Sequence, residues 1–213
     1  MKKILILLFV VFATVGQAKT MREMLVAMPD SVVPYLNKNM RLELVELMDM
    51  HVTPEVKNSL AGVSKIDTLT ADYLQLTLNK VTTLEMKLLA RGENGDSLLC
   101  MIKTVAAPEK ESEISFFSQQ WEPLDLHGMF DGKDLGALTE TLLAKPDTMS
   151  AERYQELKAM VEPRMVYATF SEIGNDVVFN LSLPLLVEED KMAVKAILLQ
   201  RKFKWNGITF KEI

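Results

Sequence analysis

The residues with most scope for chemistry lie at 121–134, WEPLDLHGMFDGKD. This stretch gathers Glu122, Asp125, His127, Asp131 and Asp134 beside Trp121 and Phe130. Carboxylates and an imidazole can work as acid and base, or hold a metal. The spacing fits no EF-hand, which needs oxygen ligands at alternate positions and a Glu at the twelfth. The reading preferred here is a solvated linker whose acids cap helices. A second set, Met48-Asp49-Met50-His51, has thioether and imidazole groups that suit copper. The chain holds 14 methionines, however, and Met21, Met24, Leu25 and Met28, like Met40, Leu44, Leu47 and Met48, recur at helical spacing. They read as core filler, with His51 a partner for the carbonyls at a helix end. A third set, Phe203, Trp205 and Phe210 around Asn206-Gly207, could form a stacking platform for a sugar or peptide but reads better as the closure of a core.

Other chemistries lack their parts. There is no G-x-S-x-G elbow, and only two histidines could act as bases. Gly128, Gly132 and Gly136 lack the Lys-Ser/Thr of a phosphate loop. No H-E-x-x-H and no paired cysteines argue for zinc. No residue is therefore assigned a catalytic, cofactor-binding or metal-ligating role, and no cofactor is expected. The charge of −5 also argues against a nucleic-acid partner, because such proteins cluster Lys and Arg into a positive stripe.

The elements that would position these residues begin after residue 18. Lys2 and Lys3, the apolar run Ile4 to Val15, and Gly16 and Ala18 before Lys19 form the pattern of a cleaved signal peptide. The run is too short to span a bilayer, which takes about 20 apolar residues, and no second run follows. Lys19 stands where a lipoprotein would need cysteine. The expected product starts at Lys19, has a net charge of about −7, and is exported to the periplasm or the cell exterior, soluble and unanchored. The single Cys100, in SLLCMIKTV, cannot form an internal disulfide and is expected to be a small buried hydrophobe.

Thr20 and Glu23 form a capping box for a helix from Met21 to Met28, stopped by Pro29. Asp30 or Ser31 can cap a further helical turn to Leu36, and Asn39 a helix from Met40 to Met50. Thr53-Pro54-Glu55 predicts another short helix, ended by Gly62. From Ile66 the period becomes two. Tyr73, Gln75, Thr77 and Asn79 alternate with Leu74, Leu76 and Leu78, giving a strand. Strands at 83–90 and 97–105 flank the Asn94-Gly95 turn. A polar loop at 108–113 precedes a strand at 114–121. Asp134 and Ser150 can cap helices at 135–144 and 151–161, with Pro163 ending the second. Strands follow at 165–171 and 177–183 across Ile173-Gly174-Asn175-Asp176, and at 193–205 and 208–212 across Asn206-Gly207.

Helices grouped before antiparallel strands predict an α+β fold. It would have two similar halves, each a helix pair followed by a four-stranded meander: residues 19–121, a linker at 122–133, and 134–213. The pattern A-x-P-D-[ST] occurs in both, at Ala27–Ser31 and Ala144–Thr148. The plan is similar to that of the β-lactamase inhibitor proteins, without their motifs or disulfides.

MPDSVVPYL, RLELVELMD, LQLTLN and KWNGITFKE together resemble an uncharacterised family of exported proteins from Gram-negative gut and oral anaerobes. The resemblance implies a periplasmic or outer-surface location and a domain of unknown function, and it carries no functional residue. The leading expectation is a non-enzymatic exported binding or interaction protein, whose partner is an envelope protein or a small ligand. The alternatives are an envelope enzyme using the carboxylates of 122–134, and a structural subunit of an envelope assembly.

Overall fold

Thr20 opens the first helix, α1 (Met21–Ala27), through a reciprocal capping box with Glu23. The computed structural model describes residues 18–92, 96–125, 127–171, 174–183 and 186–213; residues 1–17 of the expected signal peptide and the Asn94-Gly95 turn lie outside them. Turns at residues 29–36 join α1 to α2 (Lys38–Asp49). Arg41 of α2 is 1% exposed. Its Nε donates to Leu25 O at 3.0 Å and its Nη1 to Leu36 O at 2.6 Å, and Nη2 donates to Met28 O. Asp30 balances the charge at 2.9 Å. One guanidinium thus ties the carbonyls of Leu25 and Met28 at the end of α1 to that of Leu36 at the end of the following turns.

Seven strands follow in a single antiparallel meander, each paired with the next. They are β1 (Glu55–Lys57), β2 (Val63–Leu69), β3 (Tyr73–Thr77), β4 (Thr82–Arg91), β5 (Asp96–Ala106), β6 (Lys110–Phe117) and β7 (Pro123–Leu124). The helices α3 (Leu135–Thr141) and α4 (Ala151–Met160) then precede β8 (Met165–Phe170) and β9 (Asp176–Ser182). The helix α5 (Glu188–Val194) and a short 3-10 turn lead to β10 (Arg201–Trp205) and β11 (Phe210–Glu212). These last four strands form a second antiparallel sheet in the order β11-β10-β9-β8. Helices and antiparallel sheets make the fold α+β.

The two sheets stack. Leu98 to Ile102 of β5 are all buried, and they alternate between two cores. Leu99 and Met101 pack with Leu74, Leu76, Leu84 and Met86 beneath α1 and α2. Leu98, Cys100 and Ile102 pack with Ile114 and Phe116 against Ala168, Phe179, Phe203 and Phe210 of the second sheet. A smaller cluster, including Leu157, Val161, Leu183, Val194 and Ile197, joins the later helices to the far part of that sheet.

Several expectations need correction. The first sheet has seven strands where four were expected. Residues 53–62 form no helix: Val56 alone is buried in β1, which pairs with β2. Asn58 builds the turn, accepting from Leu60 and Gly62 N–H and donating to Ser64 Oγ and Leu78 O. Tertiary pairing overrides the local capping signal there. Asn37, not Asn39, caps α2 by accepting from Met40 N–H. Residues 30–36 form turns, not a regular helix, and β6 starts at Lys110, inside the expected loop. The expected strand 193–205 is helical at its start, because Glu188, Glu189 and Asp190 suit the first turn of α5; only 201–205 is extended.

Cys100 is fully buried. Burial pushes its thiol well up, and the charge of Glu85 adds to the effect. A thiol reagent should therefore modify the native protein slowly and the denatured protein fast; rapid modification of the native chain would show that β5 is not covered on this face.

Candidate functional site

Register across the first sheet places Tyr73 beside Lys87, and Lys87 beside Cys100, which neighbours Phe116. In the next row Gln75, Glu85, Ile102 and Ile114 stand side by side, and after it Thr77, Thr83, Thr104 and Ser112. One face of the sheet is therefore polar over β3 and β4 and mainly apolar over β5 and β6. The second sheet packs on the apolar part. Its edge strand β8 makes a step, and beside the step lies a trough. A cleft of about 590 Å³ is lined by Asp72, Tyr73, Gln75, Glu85, Lys87 and Phe170 among others. A hollow of about 240 Å³ shares Gln75 and Glu85 with it and adds Lys80, Thr83, Lys110 and Thr169.

Side chains of the first sheet complete the free edge of β8. Ser112 Oγ accepts from Ala168 N–H at 3.0 Å and donates to Ala168 O at 3.4 Å. The Glu85 carboxylate accepts from Phe170 N–H and from Tyr73 Oη at 2.8 Å. The Tyr73 ring meets Phe170 edge-on, 6.1 Å between centroids. Lys87 Nζ lies 5.6 Å from the centre of the Tyr73 ring and 2.9 Å from Asp72 Oδ2. Asp72 also accepts from Thr70 Oγ1 at 3.0 Å. The wall is a connected network whose rotamers are held before any ligand arrives.

That network separates the two carboxyls of the cleft. Burial pushes Glu85 above the ordinary carboxylate range, outweighing the Tyr73 and Phe170 hydrogen bonds and the charge of Lys110. Burial also acts on Asp72, but there hydrogen bonds from Lys87 and Thr70 outweigh it and hold that carboxyl low. Burial and then the adjoining Glu85 push the Tyr73 phenol far up.

The residues singled out in the 121–134 stretch do not converge. Glu122 is exposed, and its backbone pairs with Ser118. Asp125 Oδ1 accepts from the N–H of exposed His127 at 2.9 Å. Asp131 pairs with Lys211 at 2.5 Å, and that hydrogen bond holds its carboxyl low. Asp134 caps α3 through Ala137 N–H. The segment is a strap: Phe210 N–H donates to Met129 O, and Asp131 N–H to Phe210 O, closing the edge of β11. Phe130 is buried among Phe116, Phe179, Phe203 and Phe210. Trp121 lies outside β6 at φ 66°, is buried, and donates from Nε1 to Met24 O at 3.2 Å.

The other two sets are also structural. Asp49 is bound by Arg22 through two contacts of 2.9 and 2.6 Å, Met48 packs on the first core, and Met50 is exposed. His51 closes α2 through its backbone, whose N–H donates to Met48 O at φ 56°. Trp205, 7% exposed, donates from Nε1 to Ala90 O at 2.7 Å and packs on Phe210; it closes the core and offers no platform. Among the described residues no group of three or more His, Cys, Asp or Glu is placed to hold a metal.

A family model described as a protein of unknown function, DUF3256, matches residues 13–210. The chain belongs to the DUF3256 family. A solved structure of a domain of an uncharacterized protein from Porphyromonas gingivalis W83 aligns over 92% of this chain and 100% of that one. The TM-score is 0.73 at 21% identity, a likeness that shows the fold alone. No curated protein matches the sequence. The expected membership of an uncharacterised family therefore holds. Among the described residues no helix is long and apolar enough to cross a membrane.

Sequence reasoning missed the trough in this DUF3256 chain. Its available signal was Glu85 and Lys87 alternating with Leu84, Met86 and Leu88, charges whose register neighbours on β3, Gln75 and Tyr73, are also polar. The raised carboxyl gives a test. A folded pKa above the unfolded one means that the native state binds the proton more tightly, so this contribution falls as pH rises from the ordinary carboxylate range through the raised value. Glu85→Gln should therefore gain stability relative to the parent as pH rises through that window, measured by urea unfolding. A difference between the two that does not change with pH would contradict the burial of Glu85.

Proposed function

We propose that this chain is a non-catalytic binding protein of the cell envelope, and that its ligand site is the trough between β2–β4 and the edge of β8. The observation that supports this reading is the polar half-face of the first sheet, left uncovered beside a hydrogen-bonded wall. Small-ligand sites are concave and set a few convergent polar groups beside apolar and aromatic lining, which Tyr73 and Phe170 supply here. The reading includes export, with cleavage after Ala18, on the strength of Lys2, Lys3 and the apolar run. It also includes an ancestral duplication of a helices-then-meander unit, supported by the two A-x-P-D-[ST] segments near the ends of α1 and α3.

Thermal unfolding against a panel of monosaccharides, uronates, amino acids and short peptides tests the site. At a ligand concentration of 100 times Kd the stabilisation is about 2.7 kcal/mol, a rise in Tm of roughly 5–10 °C for a chain of this size. Gln75→Arg and Thr83→Arg, which fill the trough from half-buried positions, should abolish the rise. A panel without effect, or a rise that both variants keep, would contradict the proposal.

A further inference from the structure

The charges that face the trough are unbalanced. Asp72 is held by Lys87. Asp67, the acid bound to Thr77 of the polar half-face, is also bound by Lys65 at 3.3 Å. Glu109, next to Lys110 in sequence, is paired with Lys191 at 2.9 Å. Glu111 and Glu113 flank Ser112 on β6, and strand alternation turns them to the opposite face. Glu85 accepts from Tyr73 and from Phe170 N–H, so part of its acceptor capacity is already used. Lys80 and Lys110 both line the smaller hollow, and neither has an ion-pair partner among the described residues. Lys110 Nζ lies 5.3 Å over the Tyr167 ring, an interaction that neutralises none of its charge. A chain of net charge −5 thus places two ammonium groups around one hollow, where Glu85, whose carboxyl feels the charge of Lys110, is the one acid of the lining.

Beside them and Glu85 the floor carries neutral polar groups that are open to solvent. The Gln75 amide and the Thr83 hydroxyl line the hollow and have no side-chain hydrogen-bond partner among the described residues. Thr68, in the larger cleft, is free in the same sense. An amide supplies donors and acceptors together, and a hydroxyl can act as either. That inventory matches the hydroxyls of a ligand, which also both donate and accept. A carboxylate is matched by two ammonium donors, and charged hydrogen bonds are the stronger kind.

We infer, resting on the trough being the ligand site, that its ligand is a small acidic polyol of the uronic-acid class. The carboxylate lies at Lys80 and Lys110, and the hydroxyls lie over Gln75, Thr83 and the free acceptor capacity of Glu85. The larger cleft, about 590 Å³, falls within the roughly 300–1,000 Å³ of small-ligand sites and leaves room for a second sugar unit.

The test is an amide NMR titration of the protein with sodium glucuronate, glucose and sodium acetate as separate probes. Glucuronate should shift residues 75, 83, 85 and 169 saturably, at least tenfold more tightly than glucose or acetate, and more weakly as salt rises. The double variant Lys80→Ala/Lys110→Ala, at two exposed positions, should keep its spectrum outside the trough and lose at least tenfold in glucuronate affinity. Glucose binding the trough as tightly as glucuronate would overturn the carboxylate assignment while leaving the trough a ligand site. Acetate binding as tightly would overturn the hydroxyl assignment in the same way. Glucuronate shifting none of these residues would overturn the inference, whereas the trough itself fails only if no member of the wider ligand panel acts there.

Discussion

The rest of the structure depends on β5 being buried on both faces. Five consecutive residues, Leu98 to Ile102, are all buried. An alternating strand can satisfy that only if something apolar covers each side of the sheet. The helices α1 and α2 cover one side and the second sheet covers the other. Removing one such side chain costs about 2–5 kcal/mol, a large share of the roughly 5–15 kcal/mol that holds a domain together. The cover need extend only as far as the apolar surface does. On β4 that surface ends at Glu85 and Lys87, and the second sheet stops there, so the trough follows from where the apolar pattern ends.

The same economy governs strand edges and helix ends. Arg41 gathers carbonyls at the end of α1 and at the end of the turns that follow it, and the 129–131 strap closes β11. Ser112 and Glu85 stand in for a neighbouring strand beside β8. Open edges invite pairing with other chains, and natural sheets cover or charge them. Here the residues that looked most reactive, Asp131 and His127 with their neighbours, serve a strap. Gln75, Thr83 and Glu85, which the sequence places only as positions within strands, line the concave surface.

The local rules were legible where they act alone. The Thr20–Glu23 capping box, the Asp134 and Ser150 caps, the Asn206-Gly207 turn and the buried Cys100 all follow from short-range patterns, and each is observed. Thr53-Pro54-Glu55 misleads because strand pairing with β2 outweighs a capping preference of about 1 kcal/mol. Phe130 was visible only as an aromatic in a loop, since nothing local shows that four other phenylalanines surround it. The trough was hidden for a related reason. It depends on the register of three strands and on how far a second sheet reaches across them, and neither is encoded in any one segment.

The central claim is that this uncovered half-face is open in the native fold and is where the ligand lies. In a Cys100→Ala background, Gln75→Cys places one thiol in the middle of the trough, where a bulky adduct can be attached to the folded protein. The account predicts rapid modification, cooperative unfolding of the adduct near the temperature of the unmodified variant, and complete loss of stabilisation by any ligand that stabilises the parent. Slow modification, or ligand stabilisation that survives the adduct, would contradict it.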